Sequence, residues 1–274
     1  MKIFLLSVPY DSGYHKQRLG EGALLLAKTL FGKLLQTGHE VRTAEVQIDN
    51  SFPTEITASF QVIRQVANQV HEAKAKGEFP VILAGNCSTS VGTLAGLNNG
   101  SGIVWFDCHG DFNTPETTVT GYFDGMSLSM ATGHCWKHLT SAVPGFHPVP
   151  EARVVLVGSR DFDDLEVKNL SPSAINLITP SMIKENSASV YECFVEMEAV
   201  YLHVDLDVLD PHFVKANRYS MEGGLTPDEL LRTLATVKNK YRISAVALTA
   251  YDPSMDDEKK IPGLVNNILE VITD

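Results

Sequence analysis

Three potential metal ligands alternate through Trp105-Phe106-Asp107-Cys108-His109-Gly110-Asp111-Phe112-Asn113, with Asp107, His109 and Asp111 at i, i+2 and i+4. Two carboxylates and an imidazole suit Mn²⁺, Mg²⁺ or Fe²⁺ better than a structural zinc, which favours closed thiolate and imidazole sets. A second array, Asp205-Leu206-Asp207, follows another apolar run. One Asp in such a place reads as a loop cap or a solvated turn. Five ligands in two D-x-(H/D) arrays, each closing an apolar run, point instead to a site for more than one divalent ion. Such a site lowers the pKa of a shared water and generates hydroxide at neutral pH.

These arrays need rigid elements behind them. Short apolar runs at 2–8, 41–46, 80–85, 103–107, 153–158, 174–178, 200–206 and 243–249 read as strands. Most are unbroken, as in Val154-Val155-Leu156-Val157, which is the pattern of strands covered on both faces. Helical spacing marks 57–76, where Phe60, Ile63, Ala67, Val70 and Ala73 share a face before Gly77. The Ala- and Leu-rich segment 22–37 and the C-terminal segment 259–272 read as helices. Segment 226–240 opens with an N-cap Thr226, Pro227 at the first helical position and two acids. The Pro- and His-containing stretch 134–152 reads as a surface loop, because the strand pattern resumes directly after it. The alternation predicts one domain over 1–274, a three-layer α/β/α sandwich on a mostly parallel sheet of about eight strands. Parallel sheets bind ligands at the carboxyl ends of their strands. Both arrays fall there, and so does Gly85-Asn86-Cys87-Ser88.

The composition excludes several classes. With 274 residues and 44% hydrophobic content the chain can bury a large core. A net charge of −11 argues against nucleic acid and anionic membranes as partners. No run approaches the roughly 20 apolar residues of a membrane span. Cys87, Cys108, Cys135 and Cys193 form no C-x-x-C pair, which leaves out a zinc ribbon and a thioredoxin-like motif. The expectation is a cytoplasmic protein with reduced thiols.

Several motifs together carry a resemblance. Asp107-Cys108-His109-Gly110-Asp111 is similar to the D-A-H-x-D motif of the ureohydrolases, the family of arginase, agmatinase and formimidoylglutamase. Asp205-Leu206-Asp207-Val208-Leu209-Asp210-Pro211 resembles their D-x-D-x-x-D-P. Gly85-Asn86-Cys87-Ser88 stands where they have G-D-H-S, and Gly223-Gly224-Leu225-Thr226 matches their G-G-L-T. The resemblance runs in the right order from about Arg18 to the last helix. It implies two Mn²⁺ ions bridged by Asp107 and Asp205. His109 and Asp207 would complete the protein ligands of one, Cys87 and Asp111 those of the other, and Asp111 would hold the bridging hydroxide. Arginases have His at position 87. A thiolate is softer, and Mn²⁺ prefers hard donors, so the ion beside Cys87 is expected to bind weakly, be absent, or be another metal.

The substrate side is similar in part. Asn113-Thr114-Pro115-Glu116-Thr117-Thr118-Val119-Thr120-Gly121 resembles the arginase loop N-T-P-x-T-T-x-S-G. The resemblance gives Asn113, Thr118 and Thr120 the α-carboxylate of an amino acid. Gly158-Ser159-Arg160-Asp161-Phe162-Asp163 resembles G-L-R-D-x-D and gives Asp163 the α-ammonium. Two positions depart. Asp124 stands where arginases have their proton-shuttling His. Ala250 stands where they have the Glu that holds the guanidinium, with Asp252 two residues on as a possible substitute. His203 shares a strand face with Asp205 and Asp207, as a structural His, a proton relay or a partner of the ligands. Cys at the first motif and His before the second place the chain nearest the subgroup that hydrolyses Nω-hydroxy-L-arginine to hydroxyurea and ornithine.

The expected activity is hydrolysis of a guanidino or amidino amino acid by a metal-bridging hydroxide, with Asp111, Asp124 and His203 as the proton-handling candidates. The expected assembly, by resemblance, is a trimer or hexamer. A rival reading is a ureohydrolase-like metal-binding scaffold without turnover, supported by Cys87, Asp124 and Ala250. A metallophosphoesterase fits less well: its D-x-H precedes its G-N-H, and no G-H-x-H follows here.

Overall fold

A computed structural model describes residues 1–49, 54–185, 190 and 193–273. Eight parallel strands form the central sheet. In chain order, β1 is Lys2–Val8, and Tyr10–Asp11 (β2) and Tyr14–His15 (β3) make a small antiparallel ribbon beside the sheet. The remaining strands are β4 (Glu40–Glu45), β5 (Phe79–Ala84), β6 (Gly102–Phe106), β7 (Val154–Val157), β8 (Asn176–Ile178), β9 (Ala199–Asp205) and β10 (Arg242–Thr249). The spatial order is β4-β1-β5-β10-β9-β6-β7-β8. All eight expected runs therefore enter one sheet, with ends shifted by a residue or two.

The helices are α1 (Leu19–Gln36), α2 (Glu55–Ala75), α3 (Thr89–Leu97), α4 (Ser127–Ala131), α5 (Lys137–Ser141), α6 (Asp164–Leu170), α7 (Pro180–Lys184), α8 (Pro227–Lys240) and α9 (Lys260–Thr273). Each strand feeds two cores. Ile3, Leu5, Val81, Leu83, Val200 and Leu202 pack with Leu26 and Leu30 of α1, Leu234 of α8 and Val265 of α9. Their neighbours Phe4, Leu6, Ile82, Tyr201 and Ala247 pack on the opposite face with Val62, Val66 and Val70 of α2 and Leu94 of α3. Two covered faces explain the unbroken apolar runs, since neither side of a strand meets water.

The helix predicted over 57–76 begins at Glu55, capped by Thr54, whose hydroxyl accepts the Thr57 N–H. Helix α8 starts as its sequence predicts: Thr226 N–H donates to Glu229 Oε2 at 2.9 Å and Glu229 N–H to Thr226 Oγ1 at 3.2 Å. Helix α3 carries no amphipathic period, because all of its residues are buried. It lies so close to α2 that a Cβ at Gly92 would come 2.3 Å from the Ile63 carbonyl oxygen, and one at Gly96 2.5 Å from that of Ala67. The stretch 134–152, read as a loop, holds the five-residue helix α5. No helix among the described residues is long and apolar enough to cross a membrane.

Candidate active site

The carboxyl ends of β5, β10, β9 and β6 lie side by side, and each delivers a polar residue just where its apolar run stops. Thr249 pairs with Ala84 on one side and with Asp205 on the other. Phe106 pairs with Val204, which sets Asp107 beside Asp205. Two groups of donor atoms result, each within 4.8 Å: Cys87, Asp107, His203 and Asp205, and Cys108, His109 and Asp207. The structure thus brings the expected ligands Cys87, Asp107, His109, Asp205 and Asp207 together. Asp111 stands nearby with φ at +49°, in the left-handed region that Asp tolerates better than most residues.

Hydrogen bonds hold the ligands in place. Asp107 accepts Trp105 Nε1–H at 3.0 Å and the His109 backbone N–H at 2.7 Å. Asp205 Oδ1 accepts the Asp207 N–H at 2.9 Å, and Asp205 Oδ2 lies 3.0 Å from Cys87 Sγ. His109 Nδ1 lies 3.3 Å from Asp107 and 3.5 Å from Asp207. Arg160 fastens the turn behind Asp207. Its guanidinium donates to the backbone carbonyls of Gly158, Asp207, Val208, Leu209, Met221 and Glu222 at 2.6–3.3 Å. Lysine cannot reproduce that planar fork. Arg160→Lys is expected to lose about 2 kcal/mol, a fall of roughly 4–8 °C in Tm by thermal melt.

The electrostatics fit a cation centre. Burial, and then the neighbouring carboxylates, push Asp107, Asp111 and Asp205 above the usual carboxylate range. His109 is pushed up to about 10: burial opposes its charged form, but Asp207 and Asp107 outweigh it. Asp111 Oδ2 is buried with no hydrogen-bond partner. Clustered buried carboxylates are costly unless cations compensate them. Carboxylate and imidazole donors in both groups suit a divalent ion, and each group adds one soft donor, Cys87 in the first and Cys108 in the second.

A cavity of about 220 Å³ opens over these residues. Carboxylates line it, and among the described residues no lysine or arginine does, so it favours cationic ligands. Asn113, Thr118, Thr120 and Asp163 line it as expected, and Ala250 forms part of its wall. Asn113 Nδ2 donates to Asp163 Oδ2 at 3.0 Å, while Thr117 Oγ1 donates to Asn113 Oδ1 at 3.0 Å. Thr118 and Thr120 hydroxyls accept the backbone N–H of Gly121 and Tyr122 at 3.0 and 3.2 Å. Each keeps its own proton to donate.

Asp124, His203 and Asp252 stand in unlike surroundings. Both oxygens of Asp124 are taken: Oδ2 by Asn86 Nδ2–H and Cys87 N–H, Oδ1 by Ser88 N–H and Ser127 Oγ–H, at 2.9–3.2 Å. That arrangement clamps the 86–88 turn, and Asp124 also lines the cavity. Burial raises its pKa to about 6 against those hydrogen bonds. His203 does not line the cavity. It is fully buried behind Thr249, neutral because burial disfavours its charged form. Asp252 is not a substitute at Ala250: it lies outside the cavity lining and accepts Ser254 N–H at 2.9 Å. Glu166 was missed. Its carboxylate accepts Phe112 N–H at 2.7 Å and Asp163 N–H at 3.2 Å, tying both substrate loops together, and burial raises its pKa to about 7. The Asp163-to-Glu166 spacing of a capping box is the sequence signal that pointed to it.

Comparison with known proteins agrees with this geometry. The sequence model of the arginase family matches residues 1–271. The N(omega)-hydroxy-L-arginine amidinohydrolase of Streptomyces lavendulae is 30% identical over 242 residues, 87% of this chain and 85% of that protein. The arginase of Entamoeba histolytica is 25% identical over 291 residues, 99% of this chain and 96% of that one. Among solved structures, the Bacillus subtilis arginase superposes with a TM-score of 0.90 at 22% identity, covering 99% of this chain and 98% of its own. The family model spans nearly the whole chain and a relative is 30% identical over most of it, and the chain belongs to the arginase family of ureohydrolases, hydrolases of C–N bonds in linear amidines.

Proposed function

We propose that the substrate is a guanidino amino acid, arginine or Nω-hydroxyarginine, and that the products are ornithine and urea or a substituted urea. The observation that carries this reading is the seating of both donor groups beneath a cavity whose other wall presents Asn113, Thr118, Thr120 and Asp163. Thr118 and Thr120 donate to the α-carboxylate, and Asp163, oriented by Asn113, receives the α-ammonium. This pairing favours an amino acid over its decarboxylated amine. Asp107, His109, Asp205 and Asp207, with Cys87, would hold divalent cations, Mn²⁺ among them, which would acidify a water toward neutral pH and stabilise developing charge. Asp111 Oδ2 takes a proton from the attacking water and returns it to the departing amine nitrogen. Asp124 holds Cys87 in place through the backbone.

The test is to assay Mn²⁺-loaded protein on arginine, Nω-hydroxyarginine, agmatine and formimidoylglutamate for urea-type products. Release from the first two supports the reading; release from none of the four overturns it. Asn113→Ala is expected to raise KM about tenfold or more with a smaller change in kcat, because it removes groups used in binding rather than in bond breaking. An unchanged KM would show that the amino-acid end binds elsewhere. Ala250 favours a second reading, since its side chain brings no carboxylate to the cavity for a guanidinium. A protein that binds metal and arginine without product would establish that scaffold role.

A further inference from the structure

We propose that Cys87, His203 and Asp205, with Asp107 beside them, form a thiophilic cation position that takes Zn²⁺ in preference to Mn²⁺. The proposal rests on the hydrolase reading only in treating the cluster as a cation site.

The donor atoms converge. Each of the four residues places one ligand atom within 4.8 Å of the others, and all four are buried. Thr249 Oγ1 lies among three of them and is hydrogen-bonded to each, 3.3 Å from Cys87 Sγ, 3.3 Å from His203 Nε2 and 3.4 Å from Asp205 Oδ2. The imidazole is set up as a ligand. Its Nδ1 lies 3.1 Å from both Ser90 Oγ and Tyr201 OH, so that ring nitrogen is engaged and Nε2 is turned to the site. Metal-bound histidines use their second nitrogen in this way.

The ring is braced as well. His203 stacks on Trp105 with centroids 3.6 Å apart and planes 18° from parallel. Trp105 Nε1–H also donates to Asp107 at 3.0 Å, so one indole orients two members of the group. The ureohydrolase pattern places an imidazole at position 87. Here position 87 is a thiol, and an imidazole comes instead from 203, on strand β9. Exchanging one imidazole for a thiol and a second imidazole softens the donor set, and a Cys, His and carboxylate set ranks zinc above manganese.

Metal-free protein is titrated with Co²⁺ and Cd²⁺, and thiolate-to-metal charge-transfer absorption is read in the near ultraviolet, with Zn²⁺ and Mn²⁺ as competitors. The expected result is a thiolate–metal band that Zn²⁺ displaces and excess Mn²⁺ does not. It should vanish in Cys87→Ser, persist in Cys108→Ser, and need about tenfold or more Cd²⁺ in His203→Gln. Cys87→His should bind Mn²⁺ without a band. Far-ultraviolet circular dichroism confirms that each variant is folded. A band that survives Cys87→Ser and disappears in Cys108→Ser would move the soft ion to the other group and overturn the proposal. So would the absence of any band, or unchanged Cd²⁺ affinity in folded His203→Gln. The two readings fail separately. A band without hydrolysis removes the hydrolase reading and keeps the site; Mn²⁺-supported hydrolysis without a band does the reverse.

Discussion

Asp205→Asn is expected to lower kcat/KM by about a thousandfold while raising the Tm of the metal-free protein by about 3 °C or more. Both effects have one source. Asp205 joins the two donor groups: Oδ2 faces Cys87 and Thr249, and Oδ1 accepts the Asp207 N–H. The amide oxygen of Asn keeps the hydrogen bond to Asp207 but removes the charge that a cation needs. In the metal-free protein that charge stands among Asp107, Asp207 and Asp111 in a buried space, where like charges repel most strongly. Removing it relieves the folded state. Cations reverse the order. Saturating metal should raise the wild-type Tm by about 5–15 °C, from the linkage expected at 100–1,000 times Kd. Asp205→Asn should gain less than half of that. Calorimetry with and without chelator checks all three values. A metal-free variant that melts below the wild type would show that Asp205 is chiefly a structural hydrogen-bond acceptor.

Asp124→Ala is expected to have the second largest effect, and Asp124→Asn tells a clamp from a proton relay. The alanine leaves Asn86 Nδ2–H, Cys87 N–H and Ser88 N–H without their acceptor in a buried turn. At about 1 kcal/mol or more for each stranded donor, stability falls by roughly 3 kcal/mol, and Tm by about 6–12 °C. Activity should fall with it, since Cys87 loses its fixed position. Asparagine keeps one oxygen for the backbone donors, so a clamp predicts a partial loss of both Tm and kcat. A relay predicts another outcome: Asp124→Asn melts like the wild type, yet its kcat collapses and its pH profile loses a limb. Thermal melts beside pH–rate profiles separate the two.

Parts of this site were legible because they depend on short-range rules. Asp107, His109 and Asp111 alternate behind an apolar run, and a strand end turns such residues toward the same edge. Asn113, Thr118, Thr120 and Asp163, singled out from loop patterns, also lie in the cavity wall. The roles of Asp124 and His203 were not legible in the same way. Each depends on partners far along the chain: Asp124 on the 86–88 turn, and His203 on Ser90 and Thr249. Helix α3 escaped because a helix buried on every side has no polar face to give a period. Glu166 was overlooked because its purpose shows only when Phe112, more than fifty residues before it, stands against its carboxylate.

By itself the sequence determined the strand-and-helix alternation, the donor types and their placement at strand ends. These follow from side-chain polarity and from backbone periods of two and 3.6 residues, which act locally. The tertiary structure alone decided which donors face one another. The order β5-β10-β9-β6 sets Cys87, Thr249, Asp205 and Asp107 on four adjacent strand ends, and long-range pairing creates that order. It sets Asp124 against the 86–88 turn, and it brings the ligand atoms of His203 and Cys87 within 4.8 Å of each other. The chemistry of the centre depends on distances of a few ångströms between residues up to 162 positions apart. No local pattern encodes such distances; they exist only once the sheet has assembled.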